Sequence, residues 1–205
     1  MTSPRRGAAF SLARDGDLRH DLTARAAWSR DVGIGAEWAT VRQVHGAAIV
    51  EARAPGDLGE ADAIFTLGPG LPVAVFTADC AGVVLGGPEA VGVAHAGWRG
   101  AAAGVVGALA GAMSAHGGEP RWGVIGPSIG PCCFEVGWEV AELFPRHISR
   151  TSKGRLSVDL GAVVAAQVPG VEMERNGICS HHSDAAFSFR RDGTLARMAT
   201  VGWLP

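Results

Sequence analysis

The chain has 205 residues, of which 47% are hydrophobic and 19% charged, with a formal net charge of −2. That is enough for one well-buried core and too little for two ordinary domains joined by a linker. The composition excludes a disordered chain, and neither the charge nor the scatter of basic residues, paired only at Arg5-Arg6 and Arg190-Arg191, makes a case for nucleic-acid binding.

The opening stretch MTSPRRGAAFSLARDGD has basic residues but no apolar run of signal-peptide length. Residues 18–31 carry helical spacing, with Leu18, Leu22, Ala26 and Trp28 on one face and Gly33 as the stop. Residues 38–52 alternate as a strand interrupted at His45-Gly46, and 54–62 read as a turn-rich loop. AIFT and PVAVFTADCAGVVLG are strand-like, the second split at Asp79-Cys80, and AVGVAHAGWRG is a strand entering a glycine turn. Gly100 to Ala115 is the longest uncharged apolar stretch. It falls about one turn short of the roughly 20 residues that span a bilayer, so it reads as a buried small-residue helix. RWGVIGPSIGP is a strand and loop, and CCFEVGWEVAELFP is amphipathic and helical up to Pro145. SVDLGAVVAAQVPG is a helix capped by Ser157 or Asp159. The tail places a charged turn, Arg191-Asp192-Gly193, between two strand-like runs. Strands and helices alternate without a strict parallel rhythm, repeat or linker. The expectation is a single α/β domain over residues 1–205, a mixed β-sheet core with flanking helices.

Four cysteines, two of them adjacent, do not make a disulfide framework, so a reducing, cytoplasmic setting is expected. Cys132, Cys133 and Cys179 are weighed as a second metal site or redox pair and read instead as small hydrophobes in the core, with His181-His182 as an exposed turn.

Three residues carry the chemical argument: His45, Cys80 and His95, each where a strand-like run breaks into a turn. Two imidazoles and a thiolate are a good zinc set, and three protein ligands leave the fourth position open for chemistry. A metal there would lower the pKa of its water to about 7. Their spacings of 35 and 15 residues match no short zinc signature, so residue type alone leaves a metal site, a Cys80-His95 hydrolase pair and plain core residues all open. Asp79 is a candidate for orienting a ligand histidine or accepting a proton. Arg99, in a glycine turn with Gly97 and Gly100 ahead of a helix, is a candidate phosphate clamp, and Trp98 a candidate for stacking on a base. Gln43 shares the strand face of His45 and could reach a substrate base, while Arg42, Asp62 and Arg190 are weaker candidates.

QVHG (43–46), ADAIFT (61–66), TADC (77–80), HAGWRG (95–100) and IGPSIGPCCFEV (125–136), followed by SVDL (157–160), Cys179 and FSFRRDGTLARM (187–198), resemble the multicopper polyphenol oxidoreductase, laccase-domain or YfiH-like, family in the same order. The resemblance covers about residues 38–203 and implies the fold of that family. It also implies a purine nucleoside phosphorylase acting on inosine, guanosine, adenosine and methylthioadenosine, with adenosine deaminase activity. The metal ligands it implies are His45, Cys80 and His95. The cofactor would be zinc, with copper compatible because imidazole and thiolate suit both, and a copper phenol oxidase is the reading behind the family's older name. The implied partners are a nucleoside and phosphate, with no nucleic acid and no membrane, in a monomer or small homo-oligomer. The chain departs from the family pattern in a shortened N-terminal segment, 1–37, with Ala24-Arg25 in place of an Asn-Arg pair. It also departs at Ala81-Gly82, where proline is common, and at Ala196, where glycine is.

Overall fold

A computed structural model describes residues 7–205; Arg5 and Arg6 lie outside the described residues. In chain order the strands and helices are β1 (Ala8–Phe10), α1 (Leu22–Val32), β2 (Ala39–Arg42), β3 (Ile49–Glu51), β4 (Gly56–Glu60), β5 (Ala63–Thr66), β6 (Val73–Thr77), β7 (Ala81–Gly86) and β8 (Val91–Ala96). There follow α2 (Trp98–Ala102), α3 (Val105–Ala115), β9 (Trp122–Ile125), α4 (Trp138–Ala141), β10 (Ile148–Arg150), β11 (Leu156–Val158), α5 (Leu160–Ala166), β12 (Glu172–Arg175), α6 (Phe189–Asp192) and β13 (Met198–Gly202).

Two mixed sheets stack face to face. One has the order β1-β13-β6-β2-β4, the other β12-β9-β7-β8-β5-β3, and β10 and β11 form a separate hairpin. Because strand side chains alternate between faces, the central strands feed two cores at once. In β6, Val73 and Val75 point between the sheets with Val84, Val93 and Ile64, whereas Ala74 and Phe76 point outward toward Trp28 and Trp38. In β7 and β8, Val83, Leu85, Ala94 and Ala96 meet the buried face of α3, which supplies Val105, Val106, Leu109 and Met113, and of α5, which supplies Val163 and Val164. The result is four layers, helix on sheet on sheet on helix. Burial on both faces explains why β6, β7 and β8 read as nearly continuous apolar runs.

The expected α/β architecture with mixed sheets holds, and several elements differ from the sequence-based reading. The segment 54–62 contains an edge strand, β4, pairing in parallel with β2. An exposed edge needs backbone pairing but few apolar side chains, so GDLGE gives no strand pattern. The small-residue helix is two helices, broken at Ala103-Gly104, where Gly104 takes φ 77°. CCFEVGWEVAELFP yields only the single turn α4, and Trp138 stays 62% exposed. Helix α1 begins at Leu22 with the Asp21 side chain accepting from the Ala24 N–H, so Leu22 lies 68% exposed while Leu18 is buried ahead of the helix. Asp159, rather than Ser157, caps α5. The first strand-like run of the tail is instead the turn of helix α6, capped by Ser188, because Asp79 and Arg191 claim its backbone groups. Strands β1 and β12 and the β10–β11 hairpin went unread, being too short for any periodicity.

Gly82, in β7, faces β13 across the sandwich. A methyl group there would fall on the Thr200 hydroxyl and within 2.8 Å of the Thr200 Cβ, in a buried layer with no slack. G82A is therefore expected to cost about 1–3 kcal/mol by overpacking. Thermal unfolding checks this: the melting temperature should fall by roughly 2–4 °C per kcal/mol for a chain of this size. An unchanged melting temperature would mean the sheets can part at no cost.

Candidate metal centre

The chain passes from the first sheet to the second at three places, residues 43–48 between β2 and β3, Ala61-Asp62 between β4 and β5, and residues 78–80 between β6 and β7. His45 stands in the first crossing, Asp62 in the second, Cys80 in the third, and His95 near the end of β8 beside them. One ligand-type atom from each lies within 4.8 Å of the others. The His45 and His95 rings meet edge to face, with centroids 4.7 Å apart.

The first and third crossings bend the backbone hard. His45 has φ 63° and Asp79 φ 88°, conformations that side chains other than glycine adopt at a cost of about 1–3 kcal/mol. Two carboxylates hold them. Asp62, fully buried, accepts the backbone N–H groups of Val44, His45 and Gly46 at 3.2, 2.9 and 2.6 Å, and its Oδ1 lies 2.8 Å from His95 Nδ1. Asp79 accepts the Ser180 hydroxyl and the Arg190 N–H, each at 2.7 Å.

The carboxylate that bonds a histidine of the cluster is thus Asp62, whereas Asp79 holds the segment 180–190. Asp79 also sits in a turn between strands, which displaces it from the strand face expected of it. With Asp62 on Nδ1, His95 presents Nε2 to the cluster, the tautomer that a carboxylate-backed metal ligand uses. Burial would raise the Asp62 carboxyl, but His95 and the N–H groups of Gly46 and His45 hold it below the ordinary range. Burial alone would lower His95, yet hydrogen bonds to Asp62 and Cys80 lift its pKa to about 9. Burial would raise the Cys80 thiol, and the two histidines overcome it, bringing it down to about 6. Near pH 7 the metal-free centre is a thiolate beside an imidazolium.

The donor set fits a metal. Gly97 packs against it so closely that a Cβ would lie 3.0 Å from Cys80 Sγ and 3.1 Å from His45 Cδ2, a space any larger residue would fill. Gly100 abuts the Gly46 carbonyl in the same way, at 3.0 Å.

The cluster lines a cleft of about 900 Å³. Arg99, exposed at its rim, stacks on Trp98 with its guanidinium 4.2 Å from the ring centre and makes no hydrogen bond to the described residues. Arg190 donates to the Glu135 carbonyl and lies over Phe134, and Arg42 pairs with Glu60 on the exposed side. Gln43 differs from its expected role. Its amide donates to the Phe76 carbonyl and accepts from the Phe76 N–H, both at 2.8 Å, completing β6 beyond the point where β2 stops pairing with it. Its amide is spent on backbone. Helix α2 has only five residues, so its N-terminus adds little to anion binding.

Three further arginines line the cleft that sequence reasoning did not select: Arg19, Arg25 and Arg197. Arg25 lies over Trp38 and Phe76. Burial, then the Arg19 charge, pulls Arg197 below the ordinary range, and the Arg19 Nε is buried without a partner. Arg25 and Arg197 fall within stretches compared with the family pattern but were not singled out, because the three converge only when α1 and the segment ahead of it fold against the turn ahead of β13.

The model of the family described as multi-copper polyphenol oxidoreductase laccase matches residues 8–205. The chain belongs to this family. It is 38% identical over 178 residues to a protein named purine nucleoside phosphorylase from Streptomyces coelicolor, covering 80% of this chain and 74% of that one. A purine nucleoside phosphorylase of Deinococcus radiodurans is 35% identical, covering 94% and 80%. Among solved structures, YlmD from Geobacillus stearothermophilus superposes with a TM-score of 0.83 at 26% identity, covering 97% of this chain and 92% of that one.

The thiolate at the centre has a direct signature. In metal-free protein, alkylation of Cys80 by iodoacetamide, followed by peptide mapping, should be half-maximal near pH 6, and D62N should move it upward by removing the partner that keeps His95 charged. A midpoint at the ordinary thiol value of about 8.5 would contradict the ion pair.

Proposed function

We propose that the protein is a zinc-dependent purine nucleoside phosphorylase that cleaves inosine, guanosine, adenosine and methylthioadenosine, and that it also deaminates adenosine. The observation that carries this reading is the carboxylate-backed His45–Cys80–His95 cluster in the wall of an arginine-lined cleft. Relatives over most of the chain that bear the phosphorylase name support it.

His45, Cys80 and His95 would hold the zinc, and the ion would act there as a Lewis acid, able to polarise a purine heteroatom or to supply hydroxide from water near pH 7. The remaining work falls to the chain. Asp62 fixes the His95 tautomer and the His45 loop. Arg99 offers unspent donors to phosphate, and Arg19, Arg25 and Arg197 give the cleft the positive field that draws the anion in. Trp98, Phe134 and Phe189 offer apolar faces of a size to stack on a purine. Four free cysteines suit a reducing, cytoplasmic setting.

A second reading has its own observation. The Cys80 thiolate beside charged His95 is also the pair a cysteine hydrolase would use. In that case alkylation abolishes turnover and chelation leaves it intact. Copper phenol oxidation is less well supported, since a blue-copper site plus a trinuclear centre needs more histidines than the seven in this chain, and these are scattered.

Purified protein freed of metal and then reloaded with zinc is incubated with inosine and phosphate, and separately with adenosine. Hypoxanthine from the first and inosine from the second, both lost on chelation and restored by zinc, are the expected results. Failure to form either product in zinc-loaded protein would sink the proposal. R99A is expected to raise the KM for phosphate roughly tenfold or more, as loss of hydrogen bonds worth about 1.5–3 kcal/mol requires, with little change in the KM for nucleoside. Zinc must displace the proton that His95 keeps up to about pH 9, while Cys80 is already ionised above about 6. Apparent zinc affinity should therefore rise about tenfold per pH unit across that window. Competition titration with a chromogenic chelator reads this, and a flat profile would contradict it.

A further inference from the structure

Away from the cleft, Cys132, Cys133, Cys179 and His182 bring four ligand-type atoms within 4.8 Å of one another. None of the four lines the cleft. The cysteines are half-buried and unpaired, and the exposed His182 turns its ring onto them. The expectation that these cysteines are core hydrophobes is thus only half met. Cys133 and Cys179 pack against the helix-side core on one side, but their sulfurs face one another and an imidazole nitrogen on the other.

The spacing of these atoms is that of a coordination shell. With Zn–S of about 2.3 Å and Zn–N of about 2.0 Å, a regular tetrahedron has S···S edges of about 3.8 Å and S···N edges of about 3.5 Å. Here Cys132 Sγ lies 3.6 Å from Cys179 Sγ and 3.7 Å from His182 Nδ1, and Cys133 Sγ lies 3.6 Å from His182 Nδ1. Local backbone makes this possible. Residues 131–133 form a turn in which the Cys133 and Phe134 N–H groups both donate to the Gly130 carbonyl, so adjacent side chains do not diverge as they would on a strand. Cys179 opens the turn that ends at His182, whose N–H donates to the Cys179 carbonyl. The Gly130 N–H donates to the Cys179 sulfur at 3.2 Å, a contact that favours the thiolate.

We infer that Cys132, Cys133, Cys179 and His182 form a second metal site, a closed tetrahedral zinc site with a structural role. Three sulfurs and one nitrogen complete the shell and leave no position for substrate, in contrast to the three-ligand cluster in the cleft. Binding sets the thiol protons free to solvent, and each sulfur becomes a thiolate ligand. The gain is local order. Residues 176–188, between β12 and α6, have no regular structure and are tied to the 128–134 segment by little more than the bonds between Ser128 and residues 178 and 180. These two segments also supply Ile129 and Phe134 to the cleft wall and Ser180 to Asp79. A metal joining them would fix that wall from behind.

The test uses cobalt(II) as a coloured stand-in for zinc, added to reduced, metal-free, full-length H45A/C80S protein. That background removes the first cluster, so the outcome does not depend on what the cleft catalyses. The expected result is one equivalent of cobalt bound with the sulfur-to-metal charge-transfer and tetrahedral absorption of a three-thiolate site, displaced by zinc. Adding C179S should abolish that spectrum. H182A changes an exposed side chain that the core does not need. Since even outer-shell losses at metal sites cost 10–100-fold, it should weaken binding by about tenfold or more while circular dichroism stays unchanged. Folded protein that shows no thiolate–cobalt absorption would overturn the inference. So would an absorption that survives C179S, or protein isolated with a Cys132–Cys179 disulfide and no metal in this background.

Discussion

One buried carboxylate joins the pieces of the candidate centre. Asp62 accepts three successive N–H groups from the loop that carries His45, and bonds the ring of His95 from the neighbouring strand; the His95 N–H in turn donates to the Asp62 carbonyl at 2.7 Å. Leaving an ionised carboxylate buried without partners would cost far more than folding can spare. The His45 loop and His95 therefore cannot shift independently, since either movement strands the same charge. The left-handed backbone at His45 persists because that charge holds it.

The sandwich accounts for where this happens. Each sheet is buried on its inner face, so a chain passing between them must turn through the end of the sandwich, and two of the crossings, at 43–48 and 78–80, bring His45 and Cys80 to His95. Strain accompanies both crossings, at His45 and Asp79, and a carboxylate satisfies the backbone around each. Rigid strands on either side keep the ligand atoms within reach of one another before any metal arrives, which reduces the ordering cost of binding it.

How far the sequence could be read follows from the same geometry. The strands that fill two cores at once, β6 to β8, announced themselves by their apolar density, and the breaks at His45-Gly46, in the 38–52 run, and at Asp79-Cys80, between β6 and β7, were visible as interruptions of strand-like runs. Edge strand β4 was hidden because its backbone pairing asks little of its side chains, whereas the helix expected up to Pro145 shrinks to the single turn α4. Gln43 misled because an amide two residues from His45 looks available, while the partner that consumes it, Phe76, lies 33 residues on. Asp62 was undervalued for a similar reason. Its role is visible only once the 43–48 loop is folded over it. Arg19 and Arg197 belong to segments at opposite ends of the chain, and no local pattern links them.

If the two clusters hold metal as proposed, charge explains how three ligands and four ligands would coexist in one small protein with different consequences. At the cleft, one thiolate and the Asp62 carboxylate would together balance a divalent ion, with both imidazoles neutral, so Arg99, which makes no hydrogen bond to the described residues, would keep its charge for an anion. At the rear site, three thiolates exceed the charge of a divalent ion and no arginine guanidinium faces them among the described contacts. The first arrangement would attract a negatively charged reactant to an open coordination position. The second would offer such a reactant neither an open position nor a positive field. Ligand count and local charge thus point the same way at both places, toward chemistry in the cleft and toward holding its wall behind it.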